Sequence, residues 1–148
     1  MDVSARNLEL LLAGKELEPE ALELLKKRKA DREKVKKMIE DGRFTVNEYG
    51  VAYVTIDKKV DAGLVPAFLP EAKVIVIGSK MPDGPEKKGE WEIKVRLGMA
   101  APPGTSLNNL GLPDFGGRWN AGSTKRNGGT NIGAEEYAKI LGEKLNKL

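Results

Sequence analysis

The sequence predicts an α+β domain, in which a mixed β-sheet is flanked by helices and preceded by a long helical linker. Two strand patterns and one helix pattern carry this prediction. Residues 73–77 (KVIVI) form a continuous β-branched run of the buried-strand type. Residues 91–99 alternate apolar and polar side chains, as a half-buried strand does, and they complete an antiparallel hairpin with the first run. The chain then ends in an amphipathic helix whose apolar side holds Tyr137, Ala138, Leu141, Leu145 and Leu148.

The N-terminal part of the chain is predicted to contain two helices. The first carries leucines at helical spacing and stops near Gly14, and its apolar positions are Leu8, Leu11 and Leu12. The second is longer, because Pro19 suits the first position of a helix and Gly42 suits its end. Residues 26–37 are almost all charged, which is typical of a solvated helix that bridges two bodies. A basic helix contacting nucleic acid is the alternative, and the interspersed acids disfavour it.

The middle of the chain is predicted to alternate short strands and short helices. Residues 44–47 and 51–56 indicate two strands around a tight turn, and residues 63–69 indicate a short helix broken by Pro66. Residues 80–90 indicate a solvated loop. Residues 100–130 are rich in glycine and proline, with a short helical candidate at 106–110 that Asn108 and Asn109 are expected to shape or cap. A loop of this length in a compact domain is usually functional or disordered.

Composition excludes several classes of chemistry. The 148 residues include no His and no Cys, which rules out a Ser-His-Asp triad, a Cys-His pair and the usual zinc sites. The formal net charge is +3, which permits an anionic partner without demanding one. No apolar run reaches membrane-spanning length, so we expect a soluble, cytoplasmic protein with no membrane partner. Abundant Lys and Glu are a thermophile-like signature.

The segment 115–130 (FGGRWNAGSTKRNGGT) is the candidate binding site. Gly116 and Gly117 can bring backbone N–H groups close to an anion. Arg118 offers a fork of donors suited to phosphate. Trp119 can stack on a base, and Asn120 can read a base edge or hold the loop. These residue types within a short stretch suit a phosphorylated, single-stranded ligand.

Further donors and charges belong to the same hypothesis: Ser123, Lys125, Arg126 and, from the preceding strand, Arg96 beside Lys94. Each residue also has a structural alternative. The glycine pair could be a turn, Trp119 a core residue, and Asn120 a helix N-cap. Arg118 could pair with Asp114 and Arg96 with Glu92, while Lys125 and Arg126 could lie in a solvated loop. The density of the segment favours a site over these separate alternatives.

The segment GGRWNAGS resembles the glycine-rich signature of the DHHA1 domain, the C-terminal domain of DHH-family phosphoesterases such as RecJ-like and nanoRNase-like enzymes. Gly116 and Gly117 match the signature glycines, Ala121 matches its alanine, and Arg118 stands where the family has histidine. Arg96 lies on the strand where the family has a conserved arginine, two residues early. The order of helix, strand, helix, strand, strand and glycine motif also agrees, from about Arg43 onward.

The resemblance implies that substrate binding and hydrolysis are performed by different domains. Residues 1–42 would be a helical connector and residues 43–148 a DHHA1-like domain that holds single-stranded nucleic acid, a short oligonucleotide or a nucleotide. Phosphoester hydrolysis would be performed by a DHH domain, present in cis or in trans, that carries Mn²⁺ or Mg²⁺. No cofactor and no catalytic residue are expected in this chain itself.

Two alternatives stay open at this point. The long helix could dock on a partner subunit, which would make the chain a protein-interaction module. The glycine segment could instead bind a mononucleotide or a cyclic dinucleotide, which would make it a sensor. A module that binds the phosphate backbone of an oligonucleotide gains affinity with each added phosphate, whereas a sensor of a single nucleotide does not.

Overall fold

A computed structural model describes residues 19–57 and 62–147 of the chain. The chain divides into two compact units, with the boundary in sequence between Lys34 and Val35. The first described element, helix α1 (Pro19–Glu40), crosses this boundary, so its last turns belong to the second unit. The helix predicted around Leu8 to Leu12 and the terminal Leu148 lie outside the described residues.

The second unit is built on one six-stranded mixed sheet, which confirms the predicted α+β class. The strands follow the order β1-β2-β3-β4-β6-β5, and only the β2–β3 pair is parallel. Its elements are β1 (Thr45–Val46), β2 (Val51–Thr55), α2 (Val65–Phe68), β3 (Val74–Lys80), β4 (Trp91–Leu97), β5 (Gly116–Gly117), β6 (Ala121–Ser123) and α3 (Ala134–Asn146). Short 3-10 helices occur at Ala62–Leu64, Leu107–Asn109 and Thr124–Asn127.

One face of the sheet packs against the C-terminal helix α3. Val76 and Val95 project from the central strands on this side, and Tyr137 and Leu141 project from the helix. All four are buried. The apolar residues that alternate along β4 and those at helical spacing in α3 pack into one core. Both patterns predicted from the sequence are therefore confirmed.

The other face carries its apolar cluster over β2 and β3, and the 3-10 helix Ala62–Leu64 reaches β4. Ile75 and Ile77 of β3 pack with Val65 of α2 and with Val35 and Met38 from the end of α1. This explains why β3 carries apolar residues at consecutive positions: both of its faces are buried. No buried apolar residue of this second cluster comes from β4, β5 or β6, so the far half of this face is left to polar residues.

The glycine-rich passage holds the main departure from prediction. Residues 115–130 were expected to form a loop, but they include strands β5 and β6, which extend the sheet beyond β4. Neither strand has β-branched residues, so propensity gives no sign of them. They form because the edge of β4 offers backbone N–H and C=O groups with which β6 can pair. Among the described residues, no helix has the length and apolar character needed to cross a membrane.

Candidate functional site

The uncovered half of the second sheet face is a polar surface built from β4, β6 and β5. Cross-strand register places Lys94 between Ile77 and Ser123, with Gly116 beyond Ser123. In the neighbouring row, Arg96 lies between Ile75 of β3 and Ala121 of β6. Directly paired residues project from the same face. We call this half, formed by Glu92, Lys94, Arg96 and Ser123 with Gly116, the polar sheet face.

Close packing accounts for the glycines of the motif. A Cβ on Gly117 would lie 2.4 Å from Gly122 Cα, and a Cβ on Gly122 would lie 2.5 Å from Phe115 Cζ. Neither Gly116 nor Gly117 has a positive φ, so they form a strand and not a left-handed turn. Register also separates the pair, since Gly116 lies on the polar sheet face and Gly117 on the opposite one.

The tip of the β5–β6 hairpin is the turn Arg118–Trp119–Asn120, which is fixed by backbone hydrogen bonds. Arg118 N–H donates to Ala121 O at 2.8 Å and closes the turn. Leu97 N–H, at the end of β4, donates to Asn120 O at 2.9 Å, and Leu107 N–H donates to Trp119 O at 2.8 Å. Since three different elements hold this backbone, its side chains are displayed in a defined direction.

Asn108 provides a further clamp on the same turn. With its amide oriented to satisfy both ends, Nδ2 donates to Gly117 O (2.9 Å) and Arg118 O (3.1 Å). Its Oδ1 accepts from Trp119 N–H at 3.2 Å. The expectation that Asn108 caps the short helix is therefore wrong. Its side chain instead holds the backbone of the β5–β6 turn, a role that no local sequence pattern predicts.

Arg96, Trp119 and Asn120 line one cleft of about 460 Å³. Its opposite wall is the loop after β4, with Pro102, Pro103 and Thr105. Thr105 Oγ1 donates to Pro102 O at 2.6 Å and shapes this wall. We call this space the proline cleft. It unites a strand residue, Arg96, with two residues of the β5–β6 turn.

The structure overturns several of the structural alternatives for these residues. Trp119 is 58% exposed, so it is not a core residue. Asn120 does not cap a helix, because the residues after it form strand β6. Glu92 pairs with Lys94 and Lys125 and not with Arg96. No ion pair joins Arg118 to Asp114 among the described residues, and Arg118 is exposed.

Lys125 and Arg126 lie on the 3-10 helix Thr124–Asn127, which follows β6 directly. Ser123 Oγ caps it by accepting from Lys125 N–H at 3.0 Å. Thr124 is buried and ties the helix to β4: its Oγ1 accepts from Ile93 N–H at 2.9 Å and donates to Trp91 O at 3.3 Å. Both basic residues are exposed, and Arg126 passes over Gly116. They belong to a short helix and not to the solvated loop considered above.

A second cleft, of about 540 Å³, opens at the other end of the polar sheet face. Its charged lining comprises Arg43, Lys80, Lys94, Lys125, Asp57 and Glu92. We call it the basic cleft. Among the sequence-predicted site residues it contains only Lys125, so the structure divides them between two places. Within residues 19–57 and 62–147, no three acidic side chains converge in a way that could hold a metal ion, and the metal chemistry implied by the resemblance is not assigned to them.

Two solved structures are similar to this chain. One is PggH, a pGpG-specific phosphodiesterase from Vibrio cholerae, which matches 88% of this chain and 44% of its own with a TM-score of 0.59 and 11% identity. The other is an exopolyphosphatase-related protein from Bacteroides fragilis, which matches 79% of this chain and 34% of its own with a TM-score of 0.47 and 17% identity. This chain therefore spans less than half the length of either protein.

At 11% identity, the likeness to PggH establishes a shared fold and not a shared activity. No family model matches the sequence, and no curated protein matches it.

Proposed function

We propose that this chain is the substrate-binding, DHHA1-type module of a DHH-family phosphoesterase. It would grip single-stranded nucleic acid, a short oligonucleotide or a nucleotide, while a DHH domain in cis or in trans, loaded with Mn²⁺ or Mg²⁺, performs hydrolysis. The observation that carries the proposal is the meeting of Arg96, Trp119 and Asn120 in the proline cleft. All three are among the candidate binding residues that the sequence predicts.

The chemistry of the proline cleft suits a phosphorylated chain with bases. Arg96 offers a charged, planar donor set for a phosphate oxygen. Trp119 presents an exposed aromatic surface at the cleft, on which a base can stack without sequence preference. The neighbouring Arg118 is exposed on the same turn and adds positive charge near the ligand. The ligand would thus be held by charge on its backbone and by stacking on its bases.

The polar sheet face extends this grip beyond the cleft. Lys94 and Ser123 lie side by side in one row, and Arg96 lies in the next. A phosphate chain leaving the proline cleft along this face would meet a second set of donors. The fold likeness to part of a pGpG-specific phosphodiesterase supports the placement of such a module within a larger enzyme.

The interaction-module alternative has partial support from α1. Leu22 and Leu25 are 40% and 44% exposed, which would suit docking. However, Val35 and Met38, which with Leu22 and Leu25 form the apolar stripe of this helix, are buried in the core of the second unit. The apolar stripe is therefore not free along its length, and we favour the substrate-binding function.

The test is a titration with fluorescently labelled single-stranded oligonucleotides of increasing length, starting from a mononucleotide, at low and moderate salt. Arg96→Ala is expected to weaken binding by ~1.5–3 kcal/mol, the worth of a charged hydrogen bond. Trp119→Ala is expected to weaken it by ~1–3 kcal/mol, the worth of one stacked base. Lys147→Ala, at an exposed charge just after the end of α3, serves as the control.

Binding that is indifferent to both Arg96 and Trp119 would refute the proposal. Equal affinity for a mononucleotide and an oligonucleotide would replace it with the sensor function. Affinity that rises with length and falls with salt would support it.

A further inference from the structure

The basic cleft is a second concave site, and of the residues that line it the proposed function uses only Lys94, as a donor on the polar sheet face. It opens beside the carboxyl ends of the parallel strands β2 and β3, where Thr55, Asp57, Ser79 and Lys80 lie. Ligands of sheets with parallel strands commonly bind at such carboxyl ends. Its volume of about 540 Å³ falls in the range of small-molecule sites, ~300–1,000 Å³.

The charge of the basic cleft favours an anion. Four cationic residues and two acidic ones line it, which leaves two net positive charges in a concave space. Lys94 Nζ lies 3.9 Å from Glu92 Oε2, and Lys125 Nζ lies 3.8 Å from Glu92 Oε1. These separations exceed hydrogen-bonding distance, so the ammonium protons of both lysines remain available to a ligand.

Glu92 has a distinct place in this arrangement. Its side chain is only 11% exposed, whereas those of Lys94 and Lys125 are 37% and 54% exposed. The carboxylate thus lies beneath the two ammonium groups, which face the cleft and the solvent. It would keep both lysines over the cleft and would also reduce their attraction for an incoming anion.

The floor of the basic cleft is apolar. Ile56 and Ile77 line it and belong to the second core cluster, and Pro82 adds an exposed apolar surface at the rim. A bare phosphate would leave this floor uncovered. A molecule that joins a phosphate to a flat ring would satisfy both the cationic rim and the apolar floor.

We infer that the basic cleft binds a phosphorylated ring compound of nucleoside-monophosphate size. Its phosphate would contact Lys94 and Lys125, with Arg43 at the rim, and its ring would lie over Ile56 and Ile77. This site is distinct from the proline cleft, because the linings of the two clefts have no residue in common. The inference does not depend on the proposed function.

The experiment is a nitrogen-15 NMR titration of the full 148-residue chain with AMP, with inorganic phosphate and with adenosine, at low salt. AMP is expected to shift the amide signals of Asp57, Ser79, Lys94 and Lys125. Shifts of Gly98 and Asn120, in the proline cleft, would instead report a nucleotide held there by the proposed function. AMP should also bind more tightly than phosphate or adenosine alone, since only AMP engages both rim and floor.

Three variants make the assignment specific. Lys94→Met is expected to weaken AMP at least ~10-fold through loss of a charged contact. Glu92→Gln, which is nearly isosteric, is expected to tighten AMP ~2–5-fold, the effect of removing one like charge ~4–8 Å from the phosphate in a water-like medium. Arg43→Met tests the rim without touching the buried carboxylate, in case Glu92→Gln does not fold. Lys147→Met should change nothing.

The outcomes separate this inference from the proposed function. No AMP shifts at these residues, or AMP affinity equal to that of phosphate, would overturn the inference, whatever the oligonucleotide titrations show. Shifts confined to the proline cleft would also overturn it. Arg96→Ala should leave the AMP shifts of Asp57, Ser79, Lys94 and Lys125 unchanged while it weakens oligonucleotides, and this pattern would establish two sites.

Discussion

The side-chain amide of Asn108 is hydrogen-bonded to the backbone of Trp119, with Oδ1 accepting from the N–H at 3.2 Å. The neighbouring Leu107 N–H donates to Trp119 O at 2.8 Å. A short 3-10 helix therefore holds both polar backbone groups of an exposed tryptophan. Because the indole itself faces the proline cleft, its position depends on a residue that lines no part of that cleft.

Asn108→Ala is therefore expected to weaken oligonucleotide binding although Asn108 is not among the residues proposed to contact the ligand. Loss of its hydrogen bonds should lower the free energy of unfolding by ~1–3 kcal/mol, since the backbone groups of the turn lose their partner. Urea denaturation and the oligonucleotide titration measure the two effects. Asn109→Ala, at the adjacent exposed position, is the control. Equal effects of the two variants would refute a clamping role.

Arg118 is expected to contribute to the salt dependence of binding. For single strands, the slope of log affinity against log salt is ~−0.7 per phosphate neutralised. Arg118→Ala should make the slope less steep by about this amount if the exposed guanidinium contacts one phosphate. Trp119→Ala should lower affinity without changing the slope, because stacking releases no counterions. A titration series over salt concentration distinguishes them, and an unchanged slope in Arg118→Ala would remove Arg118 from the site.

Gly122→Ala is expected to destabilise the β5–β6 hairpin. The new Cβ would lie 2.5 Å from Phe115 Cζ and 2.6 Å from Gly116 O, and a backbone oxygen cannot move aside cheaply. Overpacking of this kind costs ~1–3 kcal/mol. Gly84→Ala is the matched control, because nothing lies within 4 Å of its Cβ position and its φ is not positive. Thermal denaturation should show a loss in the first variant and none in the second.

The same glycines show why part of the fold could be predicted from sequence and part could not. The run in β3, the alternation in β4 and the stripe of α3 are local patterns, and each was confirmed because it reflects burial of the residues that form it. Strands β5 and β6 are short and rich in glycine. Their pairing depends on the edge of β4, which no local window contains.

The candidate site, like the fold, could be predicted from the sequence only in part. The density of the glycine segment singled out Arg118, Trp119 and Asn120, and the polar face of the preceding predicted strand added Arg96. The cleft that unites Arg96 with Trp119 and Asn120 requires the register between β4 and β6. Glu92 was considered only as a possible partner of Arg96, yet it is buried beneath Lys94 and Lys125. Lys125 comes from the 3-10 helix Thr124–Asn127, which follows β6, so the alternation of β4 alone could not predict its position beside Glu92.

Thr124→Val is expected to loosen the 3-10 helix that carries Lys125. The hydroxyl accepts from Ile93 N–H and donates to Trp91 O, and the residue is fully buried. Valine keeps the shape but leaves both backbone groups without this partner, at ~1–3 kcal/mol. Thr124→Ser keeps the hydroxyl and should lose less. Urea denaturation of both variants decides the matter, and equal losses would show that the methyl group matters more than the hydrogen bonds.

Tyr137 is expected to make stability fall at high pH. Burial, and secondarily the charge of Asp114, raises the pKa of its phenol above the usual value of 10.0, and its hydroxyl donates to Pro113 O at 2.8 Å. Because the folded pKa exceeds the unfolded one, the stabilising contribution is complete below pH ~10 and is lost as the pH rises toward the folded value. Tyr137→Phe should be ~0.5–1.5 kcal/mol less stable at neutral pH, through the lost hydrogen bond.

The difference between Tyr137→Phe and the wild type should shrink above pH ~10, since phenylalanine has no proton to lose. Urea denaturation of both proteins from neutral to alkaline pH measures it. A constant difference in the free energy of unfolding across that range would mean that ionisation of the Tyr137 phenol does not cause the loss of stability at high pH. Because Tyr137 anchors α3 to the segment that leads into β5, the alkaline loss should also release the hairpin, and Trp119 fluorescence should change together with the unfolding signal.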